Sequence, residues 1–218
     1  LLLRLMDVAS NLNTVLSLLT KKVTLVAVSK TKPNSLILEA YHAGQKIFGE
    51  NKVQELAQKA EDLPKDIVWH MIGHLQTNKV KFIAPFVALI HGVDSIKLLK
   101  EINKRAEQNN RVIDCLLQVH IATESTKFGF DITEVKEAIT NAKEFQNIKI
   151  VGLMGMATFT DNKQQVIQEF KSLNSVFESV KNKDITTLSM GMSGDYQLAI
   201  EQGSTMVRVG SAIFGHRN

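Results

Sequence analysis

The feature that most constrains this 218-residue chain is a rhythm repeated eight times: a short apolar run rich in β-branched residues, a turn, then a stretch with helical spacing. The runs are VTLVAVS (23–29), KIFG, IVWHMI, FVALIHGV, VIDCLLQVHI, KIVGLMGM, ITTLSM and TMVRVG. Helical stretches follow at about 34–43, 53–60, 77–83, 96–109, 132–145, 164–180 and 196–202, and the tail SAIFGHRN completes the last unit. Strands separated by helices pair in parallel through crossover connections. Eight such units predict an α/β fold closed into a single (β/α)8 TIM barrel. An open doubly wound sheet is the competing architecture, and it is disfavoured because no G-x-G-x-x-G follows the first strand.

The sequence shows no low-complexity linker and no break in composition, so residues 1–218 read as one domain with lean loops. Ahead of the first strand, Leu5, Val8, Leu12, Val15, Leu16 and Leu19 keep helical spacing, which predicts an N-terminal amphipathic helix at about 2–20 docked on the body. Arg4 and Asp7 interrupt the apolar block, so this segment is not read as a signal peptide. The chain opens on Leu1 rather than Met, and further residues are expected before it.

Several function classes become remote at this stage. No apolar run reaches the roughly 18–20 residues of a membrane span, so a soluble cytoplasmic protein is expected. Cys115 is the only cysteine; it excludes an intrachain disulfide, agrees with a reducing compartment, and reads as a core thiol. The net charge of +4 comes from scattered lysines with few aromatics, which argues against nucleic-acid binding and suits attraction of a small phosphorylated anion. His70 and His74 straddle a glycine with no third ligand at metal spacing, so no metal is expected.

In such barrels, functional groups stand at the C-terminal ends of the strands. The first strand ends AVSKTKP, where Val26, Val28 and Lys30 share one face and Ala27 and Ser29 the other. If the first face points inward, the Lys30 amine rises at the barrel mouth, where loss of solvation favours the neutral, nucleophilic amine. A strand-end lysine extended into water is the plainer reading, and Lys32 competes, although Pro33 marks the chain as already turning. The last two strands end in Ser193-Gly194 and Gly210-Ser211, where barrels build their phosphate site from small residues and a short helix N-terminus. Arg208, between Val207 and Val209, is expected to point into the barrel and to need an acceptor there. Glu50, Asn51, His70, His74, Gln76 and Asn78 offer polar groups after the second and third strands, with helix capping, turn stabilisation or core packing as the alternatives. His120 and Lys127 are further candidates for the mouth; His42, His91 and His216 read as structural or exposed.

Taken together, AVSKTKP, FGENKVQE, WHMIGHLQTNK, STKFGF, LSMGMSGDYQLAI and GSTMVRVGSAIFG resemble the pyridoxal-phosphate homeostasis proteins (the YggS/PROSC family of PLP-binding proteins) from about Val23 to Gly215. The resemblance implies the alanine racemase N-terminal barrel, fold type III among enzymes using pyridoxal 5′-phosphate (PLP). It implies a Schiff base on Lys30 and a phosphate held at Ser193, Gly194, Gly210 and Ser211. Arg208 matches the motif arginine of the eighth strand, and Asn51, His70, Gln76 and Asn78 match positions around the cofactor mouth. It further implies a PLP buffer or carrier without robust catalysis, expected to be a monomer and to serve PLP-dependent apoenzymes.

Two other functions stand beside this one. An amino-acid racemase of low activity would need a second base opposite the lysine, and only Tyr41 and Tyr196 are available, both on expected helices. A cofactor-independent barrel using Lys30 as an aldolase-type amine would be colourless.

Overall fold

The computed structural model describes residues 7–123 and 128–215. Its eight strands are β1 (Thr24–Val28), β2 (Ile47–Glu50), β3 (Val68–Met71), β4 (Leu89–Val93), β5 (Ile113–Gln118), β6 (Ile148–Met154), β7 (Thr187–Ser189) and β8 (Met206–Val209). They form a closed barrel in sequence order, every neighbour parallel, with β8 returning to β1. The helices are α1 (Val8–Ser17), α2 (Asn34–His42), α3 (Val53–Asp62), α4 (Ile96–Gln108), α5 (Val135–Ala142), α6 (Lys163–Val180), α7 (Tyr196–Glu201) and α8 (Ser211–Phe214). A 3-10 turn, Thr77–Phe82, replaces the helix expected after β3.

Strand parity sorts the side chains into two clusters. Val26, Val28, Ile72, Leu89, Leu116, Met154 and Met206 fill the lumen. Phe48, Met71, Ile90, Leu117, Leu153, Leu188, Val207 and Val209 point outward into the larger core shared with the helices. No helix among the described residues is long and apolar enough to cross a membrane.

The N-terminal helix docks as expected. Val8, Leu12 and Val15 are buried, the Val8 N–H donates to Glu39 Oε1 on α2 (2.9 Å), and Asn11 Nδ2 donates to the Ile213 carbonyl on α8 (3.1 Å). Asp7 caps its first turn; residues 1–6 of the expected helix lie outside the described residues. The stretch expected as one helix over 132–145 divides instead. A capping box between Asp131 and Glu134 closes a short 3-10 turn, and α5 begins at Val135 and stops at Ala142. Cys115 is fully buried, and burial pushes its thiol far above the ordinary range.

The lumen also holds a polar chain. Arg208 Nη1 donates to the Ser189 carbonyl (3.0 Å) and to its hydroxyl (2.6 Å), while Nη2 donates to the Gly155 carbonyl (3.2 Å). The Ser189 hydroxyl lies 3.1 Å from His91 Nδ1, and His91 Nε2 lies 3.0 Å from His70 Nδ1. All four residues are buried. Burial pulls His70 down to about 3, and burial followed by His70 and Arg208 pulls His91 well below its usual value. Both imidazoles are therefore neutral, each with one donor and one acceptor, and the chain is satisfied in either direction of donation. Burial lowers Arg208 only to about 10, so its guanidinium stays charged on neutral acceptors.

A pH dependence follows from this chain. The folded protein keeps both histidines unprotonated where the unfolded chain takes up protons, so stability falls as pH drops below about 6.5 and continues to fall toward about 3. His70→Gln, which retains a donor and an acceptor, is expected to flatten that decline in urea unfolding measured from pH 7 to pH 4. Identical slopes in the two proteins would show that His70 is not held neutral.

Candidate functional site

A cavity of about 870 Å³ opens at the C-terminal ends of the strands. Lys30 reaches it because β1 keeps its parity: Val26 and Val28 lie in the lumen, and Lys30 continues that face into the cavity lining. Arg208 lies opposite Val26 in the β1–β8 register, so it enters two alternate positions below Lys30 and forms part of the floor. Val28, Ile72 and Met156 supply apolar surface around them.

The loops after β7 and β8 form one wall. Gly191 takes φ +97°, and a side chain there would strike Tyr196. The chain then turns back on itself, with the Met192 N–H donating to Asp195 Oδ1 (2.6 Å) and the Asp195 N–H to the Met192 carbonyl (3.0 Å). Ser193 Oγ accepts the Gly210 N–H (3.0 Å), which ties the two loops together. Ser193, Gly194, Gly210 and Ser211 all face the cavity. A Cβ on Gly194 would meet open space, whereas one on Gly210 would press on the Val28 carbonyl at 3.1 Å. The N–H groups of Gly194, Ser211 and Ala212 have no protein acceptor among the described residues; for Ser211 and Ala212 this is expected because α8 begins there.

Asn51 also lines the cavity. It is held from behind by Gly73, whose backbone packs so closely on Asn51 that a Cβ would stand 2.5 Å from the Asn51 carbonyl oxygen. The remaining wall is the loop after β6, where Thr158 is fixed by Glu169 of α6 through its N–H (2.6 Å) and its hydroxyl (2.7 Å).

Other sequence candidates fall elsewhere. His70 does not line the cavity; it lies within the lumen, bonded to His91. Gln76 and Asn78 line a separate hollow of about 350 Å³ with His74 and Asp94, away from Lys30. There His74 pairs with Asp94 (3.1 Å) and stacks on Phe128. Glu50 shares the parity of Phe48, so its carboxylate faces α3 and is fully buried outside the barrel. Lys32 lines the cavity rim, and its ammonium donates to the Phe214 and Gly215 carbonyls (3.0 Å each). His120 is not among the cavity residues; Lys127 and His216 lie outside the described residues. Neither Tyr41, bonded to Asp66 (2.6 Å), nor the buried Tyr196 lines the cavity.

Sequence reasoning did not identify Ser189 and Gly155 as the partners of Arg208, nor His91 behind Ser189, nor Thr158 as a wall residue. The inward parity of Ser189 on β7 was available as a signal. The His70–His91 contact depends on the β3–β4 register, which no local pattern specifies.

Comparison with known proteins agrees with this architecture. Residues 3–218 match the family described as alanine racemase, N-terminal domain. A pyridoxal phosphate homeostasis protein of Aquifex aeolicus is 42% identical over 197 residues, 88% of this chain and 86% of that one. The structure of PipY from Synechococcus elongatus PCC7942 with PLP bound superposes with a TM-score of 0.86 at 35% identity, covering 95% of this chain and all of PipY. An alanine racemase of Clostridium difficile shares the fold, with a TM-score of 0.78 at 14% identity, but this chain spans only 56% of that protein. The barrel, its residue motifs and these likenesses together identify the chain as a member of the alanine racemase N-terminal domain family and, within it, of the pyridoxal phosphate homeostasis proteins.

Proposed function

We propose that this protein binds PLP covalently through Lys30 and serves the cytoplasm as a monomeric buffer and carrier of the cofactor, delivering it to PLP-dependent apoenzymes. The observation that carries this reading is the convergence of the Lys30 side chain with the Ser193-Gly194 and Gly210-Ser211 loops on one cavity. The PLP-bound state of PipY, a relative matched over its whole chain and 95% of this one, supports it.

The residues present fit the cofactor. When bound, PLP supplies an aldehyde that condenses with an amine, and a phosphate that seeks N–H donors. Lys30 is the amine that β1 raises into the cavity, whereas the Lys32 ammonium at the rim is bonded to the Phe214 and Gly215 carbonyls. The N–H groups of Gly194, Ser211 and Ala212 are donors without protein acceptors, and the open space at Gly194 leaves room beside them. Backbone N–H groups at a helix start suit an anion by both hydrogen bonding and partial charge. Ser193 acts through its hydrogen bond to Gly210, which fixes the spacing of the two loops.

Arg208 shapes what the site does with its cargo. Three of its five N–H groups are committed to Ser189 and Gly155. A guanidinium that stays charged can donate to a ring nitrogen but does not hand over a proton, which weakens the ring as an electron sink. No tyrosine lines the cavity among the described residues to act as a second base opposite Lys30. Both features favour holding the cofactor over racemising amino acids. Turnover of L- or D-alanine at the pace of a metabolic enzyme would contradict the carrier reading.

Two variants test the site. Lys30→Ala is expected to fold and to lose its visible absorption band and all PLP on dialysis, because the residue stands in the mouth rather than in the core. Retention equal to the parent protein would move the attachment to Lys32 or Lys127. Ser193→Ala, which releases the Gly210 N–H and loosens the phosphate wall, is expected to weaken PLP retention by about 0.5–1.5 kcal/mol, the worth of one neutral hydrogen bond. Unchanged retention would place the phosphate elsewhere.

A further inference from the structure

We propose that Lys59, together with Glu55 and Glu50, is a positioning group for Lys30, clamping the backbone on both sides of that residue from outside the barrel. This rests on Lys30 being the anchoring amine, as argued above. Lys59 lies on α3, twenty-nine positions along the chain from Lys30, yet it is buried with 5% exposure. Its ammonium spends its three protons on the Ser29 carbonyl (2.8 Å), Glu50 Oε1 (2.8 Å) and Glu55 Oε1 (2.7 Å). Glu55 Oε1 also accepts the Thr31 N–H (2.6 Å). The peptide group before Lys30 is therefore held by Lys59, and the one after it by Glu55. Ser29 adds a hydroxyl bond to Glu50 Oε1 (2.6 Å).

The conformation being held needs holding. Thr31 takes φ +64°, the left-handed region that a β-branched residue adopts only under constraint. Released from Glu55, that residue is expected to relax, and Lys30 beside it would turn away from its direction into the cavity. The clamp is also a poor device for stability alone. Val53, Leu56 and Lys59 share the buried face of α3, so an apolar residue at 59 would continue the stripe. Glu50 leaves Oε2 buried without a partner, and burial pushes that carboxyl upward. Replacing a buried ion network by apolar side chains is often neutral for stability. None of Glu50, Glu55 and Lys59 lines the cavity, so none acts on the cofactor directly.

The test uses the full chain freed of PLP. Two rates are measured: covalent capture of added PLP, and labelling of Lys30 by trinitrobenzenesulfonate, followed by peptide mapping. Lys59→Met is expected to lower stability, because it leaves Glu50 buried without its partner, yet to keep a cooperative thermal transition while slowing both rates by about tenfold or more, as expected when a reacting group is displaced by a fraction of an ångström. Lys59→Arg, which retains the charge and donors, is expected to recover part of the loss. Wild-type rates in folded Lys59→Met would overturn the proposal. Should Lys59→Met fail to fold, Glu55→Gln decides, read in the parent and in Thr31→Gly. Glycine adopts the left-handed conformation without strain, so the slowing caused by Glu55→Gln should shrink in the Thr31→Gly background. Equal slowing in both backgrounds, or none in either, would overturn the clamp. A parent protein that captures no PLP on Lys30 would defeat the functional reading instead, and the trinitrobenzenesulfonate rates would still decide the clamp.

Discussion

Closure of the parallel sheet is the constraint on which the rest of the molecule depends. Once eight strands form a ring, every strand has one face in the lumen and one against the helices, and alternate residues belong to different environments. That parity sends Val26 and Val28 inward and then lifts Lys30 to the mouth. On β8 it turns Arg208 inward and leaves Val207 and Val209 to pack outside. On β2 it gives Glu50 to the outer layer, where it meets Lys59. The same rule that builds the core thus divides the charged residues between a site and its support.

The two buried polar systems lie on opposite sides of the barrel wall and solve different electrostatic problems. Inside, the guanidinium is held by two carbonyls and a hydroxyl that two neutral imidazoles back up, and Asp195 of the cavity wall is its charged neighbour. Outside, an ammonium between two carboxylates is locally balanced and exerts its effect through the backbone bonds it makes. Desolvated charges of both kinds are costly unless fully bonded. Only Glu50 Oε2 among the buried side-chain atoms of the described residues lacks a partner.

Much of this was legible in the sequence, because strand and helix periods are local. Six of the eight strands lie within the runs that alternation marks, β2 and β6 overrun theirs by one residue, and Lys30, Asn51, Arg208 and the two glycine-serine pairs reach one cavity. What was illegible depends on register and on packing between distant segments. His70 looks equally suited to a mouth or a lumen until β3 is placed against β4. Gln76 and Asn78 follow the same strand as Asn51's neighbour Gly73, but the chain carries them past the mouth into another hollow. Glu50 could have been assigned from its parity with Phe48, since Gly49 between them is the inward residue. Lys59 was visible as a lysine on an apolar stripe, but nothing local connects it to Ser29.

One amine in one place is central: a lysine raised by strand parity into a cavity whose wall holds the Ser193-Gly194 and Gly210-Ser211 loops, in a chain whose relatives are named for PLP homeostasis. Borohydride reduction of the PLP-loaded protein, followed by peptide mapping, addresses that claim most directly. The account predicts one reduced label per chain, on Lys30. A label on any other lysine, or no label on a protein that retains PLP, would contradict it.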